Sequence, residues 1–159
     1  MGGISVLVLI GFLTSIYILW ILFLVCLTIY LLNDYIFESI FIYKVSKSKL
    51  AFIPIYNKII LGKTFHENKL GFGIFLTDLL LLIFLVLSLT ITTNYDTLIF
   101  ISIIILLILS FILNTVMSHL IIKKYLKKYV DIITIINVFT LGIIRPITYF
   151  LIRNRGIHE

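Results

Sequence analysis

Long apolar runs broken by short polar stretches set the character of this chain. No charged residue occurs from Ile4 to Leu32 or from Leu98 to Ile122, and Phe72 to Thr93 contains one, Asp78. A fourth run, Val130 to Ile152, is apolar apart from features such as Arg145 and Pro146. About 20 apolar residues at a rise of 1.5 Å cross a hydrocarbon layer of ~30 Å. The pattern therefore predicts an all-α integral membrane bundle of about four transmembrane helices, over 4–32, 72–93, 98–122 and 130–152, in a single domain. The second and third runs are separated only by TNYDT, Thr93 to Thr97, which predicts an antiparallel hairpin turning across Asn94 to Asp96. Full crossing is the expectation for the fourth run, although Arg153 and Arg155 beyond it would then lie outside.

Between the first two spans the period changes. Ile36, Phe37, Ile40 and Phe41 recur at helical spacing, with Glu38, Ser39 and Lys44 elsewhere around the wheel. An amphipathic helix lying along the membrane face is expected, or a continuation of the first span beyond it. After KVSKSK comes LAFIPIYNKIILGK, Leu50 to Lys63, too apolar for a surface loop and too short to cross. Proline disfavours helix in the residue before it and suits a first helical turn, so a short helix is expected to start at Pro54 and stop at Gly62. In the interface, Lys58 would reach lipid headgroups, Ile55, Ile59 and Ile60 would enter the acyl boundary, and Tyr56 would satisfy both ends of its ring. Residues 35–62 thus form the expected interfacial segment, with the IPIYN stretch in the cytoplasmic interface or in a shallow re-entrant turn packed against the spans.

Composition agrees with this pattern. Of 159 residues, 62% are hydrophobic and 13% charged, and the mean hydropathy is +1.23; a soluble domain is nearer half apolar. The first run lacks the basic start and cleavage pattern of a secretory signal and is expected to be retained. The formal charge of +6 does not point to nucleic acid, because the lysines gather beside the spans. Lys44, Lys47, Lys49, Lys58, Lys63 and Lys69 follow the first, and Lys123, Lys124, Lys127 and Lys128 follow the third. By the positive-inside rule both clusters are cytoplasmic and the N-terminus is outside. The partners implied are the bilayer and its anionic headgroups, at about 1 kcal/mol per lysine, together with another membrane protein or a second copy. Cys26 is the single cysteine, so no internal disulfide and no cysteine metal site can form.

At AFIPIYNKIILGK the sequence resembles an uncharacterised family of small bacterial multi-pass membrane proteins with an apolar-Ile-Pro-Ile-Tyr-Asn core followed by apolar residues and Lys. The matching residues are Ile53, Pro54, Ile55, Tyr56, Asn57, Leu61 and Lys63. The resemblance implies three or four spans around an interfacial motif, in a bacterial plasma membrane, and no activity. This chain departs from the pattern in placing Gly62 before Lys63 and continuing TFHENKLG. Farther on, IIRPITYFLIRN, Ile143 to Asn154, again sets a proline in an apolar run ending in bases.

Polar side chains within lipid are costly, at ~2.5–3.5 kcal/mol for a central charge, so each calls for a reason. Asp78 lies ~12 Å deep in its span at 1.5 Å per residue, and Asn114 and Asn137 fall at nearly the same depth. Ser110, Asn114 and Ser118 share one face of the third helix, with Thr134 and Asn137 on the fourth. Hydrogen-bonded glue between helices is one reading of this level; a proton or ion site with Asp78 at its centre is the other. Arg145, ~22 Å along a full fourth crossing, would snorkel outward, or pair with Asp78 if the segment bent back.

Enzyme chemistry is poorly represented. His66 and Glu67 lack a following HExxH histidine, GFGIFLTD has Ile74 where an intramembrane aspartyl peptidase needs a carboxylate, and no phosphate loop or nucleophile elbow occurs. Neither a metal nor a cofactor is implied. The expectation is a non-catalytic membrane protein acting by binding, as an accessory subunit or an immunity- or chaperone-like partner. A small oligomeric transporter or channel built on Asp78 is the alternative.

Overall fold

A computed structural model of the chain describes residues 2–90 and 96–154. All regular structure among them is helical: α1 (Gly2–Ser46), a 3-10 turn (Lys49–Phe52), α2 (Asn57–Thr64), α3 (Asn68–Thr90), α4 (Asp96–Tyr125), α5 (Val130–Phe139) and α6 (Ile144–Ile152). The chain divides after Asp34 into two compact units. The first is the leading part of α1, where Phe12, Tyr17 and Leu19 are among the exposed large apolar side chains. The side chain of Cys26 and the Asn94–Asp96 turn lie outside the described residues, apart from the backbone of Asp96 as the first residue of α4.

The second unit carries the core. Phe41 of α1 stacks on Tyr149 of α6 at 4.9 Å between centroids and on Phe65, just after α2, at 6.0 Å; Tyr125 at the end of α4 meets Phe41 edge-on at 6.0 Å and Phe65 at 6.2 Å. Ile42, Ala51, Leu61, Ile74, Met117, Ile121 and Ile152 complete this cluster. The amphipathic stretch after Asp34 is thus helical as expected, but its buried side is Glu38, Ser39, Phe41 and Ile42, while Ile36 is exposed. The stripe is rotated from the apolar one because a charge on α2 meets Glu38.

Helices α3 and α4 pack antiparallel: Gly73 faces Leu113, and five residues along α3 Asp78 bonds Ser110, three residues back along α4. Over Asn68–Ser88 and Leu98–Tyr125 they are long and apolar enough to cross a membrane. The fourth run is not one helix. After ten residues α5 stops in a Schellman turn, with the Gly142 N–H donated to Asn137 O at 2.8 Å and the Leu141 N–H to Val138 O at 3.1 Å. Leu141 (φ 51°) and Gly142 (φ 91°) take left-handed backbone there. Helix α6 then runs back, and Tyr149 reaches the end of α4. A single crossing over 130–152 is therefore corrected to a helical hairpin, because the aromatic cluster holds its last turn beside Tyr125. That fold-back also removes Arg145 from a far-side position, since Tyr149 stands one turn beyond it.

The IPIYN stretch also differs from its expected form. Pro54 follows the 3-10 turn, Ile55 is held at φ 64°, and the helix begins only at Asn57. A β-branched residue in left-handed backbone is strained by roughly 1–3 kcal/mol, and here the kink turns Asn57 and Lys58 inward. Nor does Gly62 end α2, which runs on to Thr64 and closes in a Schellman turn with His66 at φ 63° and Glu67 N–H donated to Gly62 O at 2.8 Å. Instead Gly62 is where α2 crosses α3. A Cβ on Gly71 would stand 2.7 Å from Gly62 Cα and 2.6 Å from Lys58 O.

Gly71→Ala should accordingly force the two backbones apart and cost about 1–3 kcal/mol, as overpacking does. Gly73→Ala, whose new methyl would meet only Leu113 Cδ1 at 4.0 Å, should be neutral or stabilising by up to ~1 kcal/mol. Thermal unfolding of the two detergent-purified variants checks this, and equal behaviour would discount the crossing.

Candidate functional site

Two polar constellations come out of this fold. The first lies under the IPIYN stretch. Lys58 and Glu38 form a buried ion pair, with residue exposures of 7% and 2%. Beside them in sequence, Asn57 and Ser39 are buried as well, and Asn57 Oδ1 and Ser39 Oγ have no hydrogen-bond partner among the described residues. The Tyr35 hydroxyl donates to the Phe52 carbonyl and so ties α1 to the 3-10 turn in front of Pro54. Lys58 was expected at lipid headgroups. It points inward because the kink at Ile55 sets the first turn of α2 against α1, where Glu38 supplies the counter-charge.

The other motif residues divide. Pro54 and Lys63 are exposed, Tyr56 and Ile59 are half-buried, and Ile60 belongs to the core rather than to an acyl boundary. Lys124 reaches back to the same platform, donating to Phe65 O at 2.6 Å with its Nζ 5.5 Å from the Phe65 ring centre. This cation caps the C-terminal end of α2, where helix carbonyls lack partners.

The second constellation lies between α3, α4 and α5. Ser110 Oγ donates to Asp78 Oδ1 at 2.6 Å and accepts from Asn114 Nδ2 at 3.2 Å, and the same amide also donates to Ser110 O at 2.9 Å. Asp78 and Asn114, placed at one depth by counting residues, are thus linked through Ser110. One turn along α4, His119 Nδ1 lies 2.9 Å from Thr134 Oγ1. The same hydroxyl lies 2.8 Å from Val130 O, to which it can donate. Asn137 is buried on α5, and its Oδ1, like Ser118 Oγ on α4, lacks a hydrogen-bond partner among the described residues. Arg145 is half-buried in the first turn of α6.

Chemically, both sets hold helices together. Among the described residues no group of three His, Cys, Asp or Glu could take a metal ion. Glu38 is the residue that counting along the sequence overlooked. Its signal was available: a carboxylate three and four residues before Phe41 and Ile42 shares their face of a helix, and Lys58 is the basic residue set among the apolar positions of the motif. No protein-family model matches the chain, and no curated protein or solved structure matches it.

Removing one member of a buried pair strands the other charge, at a cost of about 3–5 kcal/mol. Lys58→Met should be destabilising by that order, and adding Glu38→Leu should restore most of the loss. Unfolding midpoints of the single and double variants decide; a double variant no better than the single would mean that the charges are not coupled.

Proposed function

We propose that this is an integral protein of a bacterial plasma membrane that works by binding, as a non-catalytic accessory subunit or an immunity- or chaperone-like partner of another membrane protein. In this reading α3, α4 and the first apolar run cross the bilayer. The lysine-rich end, with the IPIYN platform, faces the cytoplasm near anionic headgroups, and the N-terminus is outside. The observation that carries the proposal is the outward arc of α4. Phe100, Ile101, Ile104, Ile105, Ile108 and Ile112 are exposed there and wholly apolar, while Ser110 and His119 of the same helix turn inward to Asp78 and Thr134. Such a face suits lipid or a partner helix. Resemblance of the IPIYN stretch to the small bacterial membrane family supports the same reading.

The test is a photoreactive residue placed in turn at Ile104, Ile105, Leu107 and Ile108 in native membranes. A partner helix gives protein adducts with helical periodicity, strong on one side of α4 and absent on the other. Lipid adducts alone at all four positions would overturn the proposal.

The bonded row Asn114, Ser110 and Asp78 favours one second reading, a small oligomeric transporter or channel. Asp78→Asn keeps the shape and removes the charge. If the row conducts, this variant abolishes flux in vesicles without loss of expression; unchanged flux eliminates the reading.

A further inference from the structure

The outer side of the α5–α6 hairpin is the part of the unit that the partner-binding reading leaves unused. Phe139 and Leu141 are the two most exposed large apolar side chains among the described residues, at 84% and 74%, and Ile143 beside them is exposed too. Down the two legs, Ile132, Ile135 and Val138 of α5 and Ile147 and Leu151 of α6 also face outward. Apart from Asp131, exposed in the first turn of α5 at the root, the polar side chains of the legs are turned in or spent locally. Asn137 and Thr148 are buried, the Thr140 hydroxyl donates to Ile136 O at 2.8 Å, and the Thr148 hydroxyl donates to Ile144 O at 2.9 Å. Arg145, the one charge between Ile132 and Ile152, is half-buried.

An apolar tip can enter hydrocarbon only if the backbone of its turn permits it. Non-helical chain enters hydrocarbon only when its N–H and C=O groups find partners within the protein. Here Thr140 N–H donates to Ile136 O, Leu141 to Val138 O, Gly142 to Asn137 O, Ile143 to Thr140 O and Arg145 to Gly142 O, at 2.8–3.1 Å. Pro146 has no N–H to satisfy. This is the ordinary Schellman closure, which α2 also makes beside the exposed His66; it permits burial of the turn in hydrocarbon, and the side chains of the tip and the charges of the root say where the turn lies.

Length and charge give the depth. Ten residues of α5 rise ~15 Å, about half of a hydrocarbon layer of ~30 Å. Both roots stand at the lysine-rich end. Lys127, Lys128 and the exposed Tyr129 precede α5; after α6, Arg153 lies 3.6 Å from the Phe150 ring centre and Asn154 accepts from Lys44. Bases, a tyrosine and Asp131 at the root, with exposed isoleucine, leucine and phenylalanine at the tip and Arg145 half-buried just beyond it, follow the headgroup-to-acyl gradient of one leaflet.

We infer that the α5–α6 hairpin is a half-depth membrane wedge: its tip, Phe139, Leu141 and Ile143, enters the acyl chains of the leaflet at the lysine-rich end and returns without crossing. The inference rests on α3 and α4 crossing that same bilayer. It adds a lipid-binding element in one leaflet, occupied by acyl chains rather than by a protein helix.

The full chain carrying Cys26→Ser and Leu141→Cys, labelled with bimane and reconstituted in phospholipid vesicles, tests it. Doxyl groups on the acyl chains should quench the label several-fold more than aqueous iodide, and Phe139→Cys should behave alike if the first variant folds poorly. In addition, Lys128→Cys and Asn154→Cys should react with an impermeant maleimide from the same side. Quenching by iodide in preference to doxyl lipid, or reaction of Asn154→Cys from the side opposite Lys128→Cys, overturns the wedge. An epitope inserted in the TNYDT link separates the two readings. Found on the Lys128 side, it defeats the two crossings, while the quenching result still decides the wedge.

Discussion

One phenylalanine ring decides how the lysine-rich end is assembled. Phe41 meets Phe65, Tyr125 and Tyr149, which come from the end of α2, the end of α4 and the last turn of α6. Each such aromatic pair contributes about 0.5–1.5 kcal/mol beyond its buried area. Because the four rings derive from positions scattered over more than a hundred residues, the cluster fixes topology as well as stability. The return of α6 follows from it: with Tyr149 seated on Phe41 beside Tyr125, the fourth apolar run has nowhere to finish but at the end where it began.

The buried ion pair is the polar counterpart of that cluster. Glu38 and Lys58 lie on the same two elements, α1 and α2, that the rings of Phe41 and Phe65 join. Charges out of water repay their desolvation only with good geometry and a close partner, so the pair acts mainly as a register mark. One setting of α2 against α1 brings the two charges together, and the strained turn at Ile55 is the local cost of reaching it. Gly62 and Gly71 serve the same end on the other side of α2, since only two bare backbones approach so closely.

Away from this platform the packing principle changes. The row Asn114, Ser110, Asp78 spans one helix contact with three side chains, while the outward surfaces of α3 and α4 stay apolar. Polar groups gathered at helix contacts with apolar ones left outside are the distribution that a medium without hydrogen bonds favours. In the α5–α6 turn the N–H groups of Thr140, Leu141, Gly142, Ile143 and Arg145 are likewise donated to the carbonyls of the hairpin itself.

By itself the sequence determined whatever depends on neighbours along the chain. Long apolar runs fixed α3 and α4 as long apolar helices, their closeness in sequence made them antiparallel, and four-residue spacing put Ser110, Asn114 and Ser118 on one face. The tertiary structure alone decided which charge Lys58 meets, that Pro54 opens a turn three residues before its helix begins, that Gly62 is a crossing and not a stop, and that residues 130–152 fold back. The reason is common to all four. Periodicity reports which side of an element is apolar, but a proline, a glycine or a lone charge is neutral between alternatives until a distant partner, here Glu38, Gly71 or the ring of Phe41, makes one of them lower in free energy.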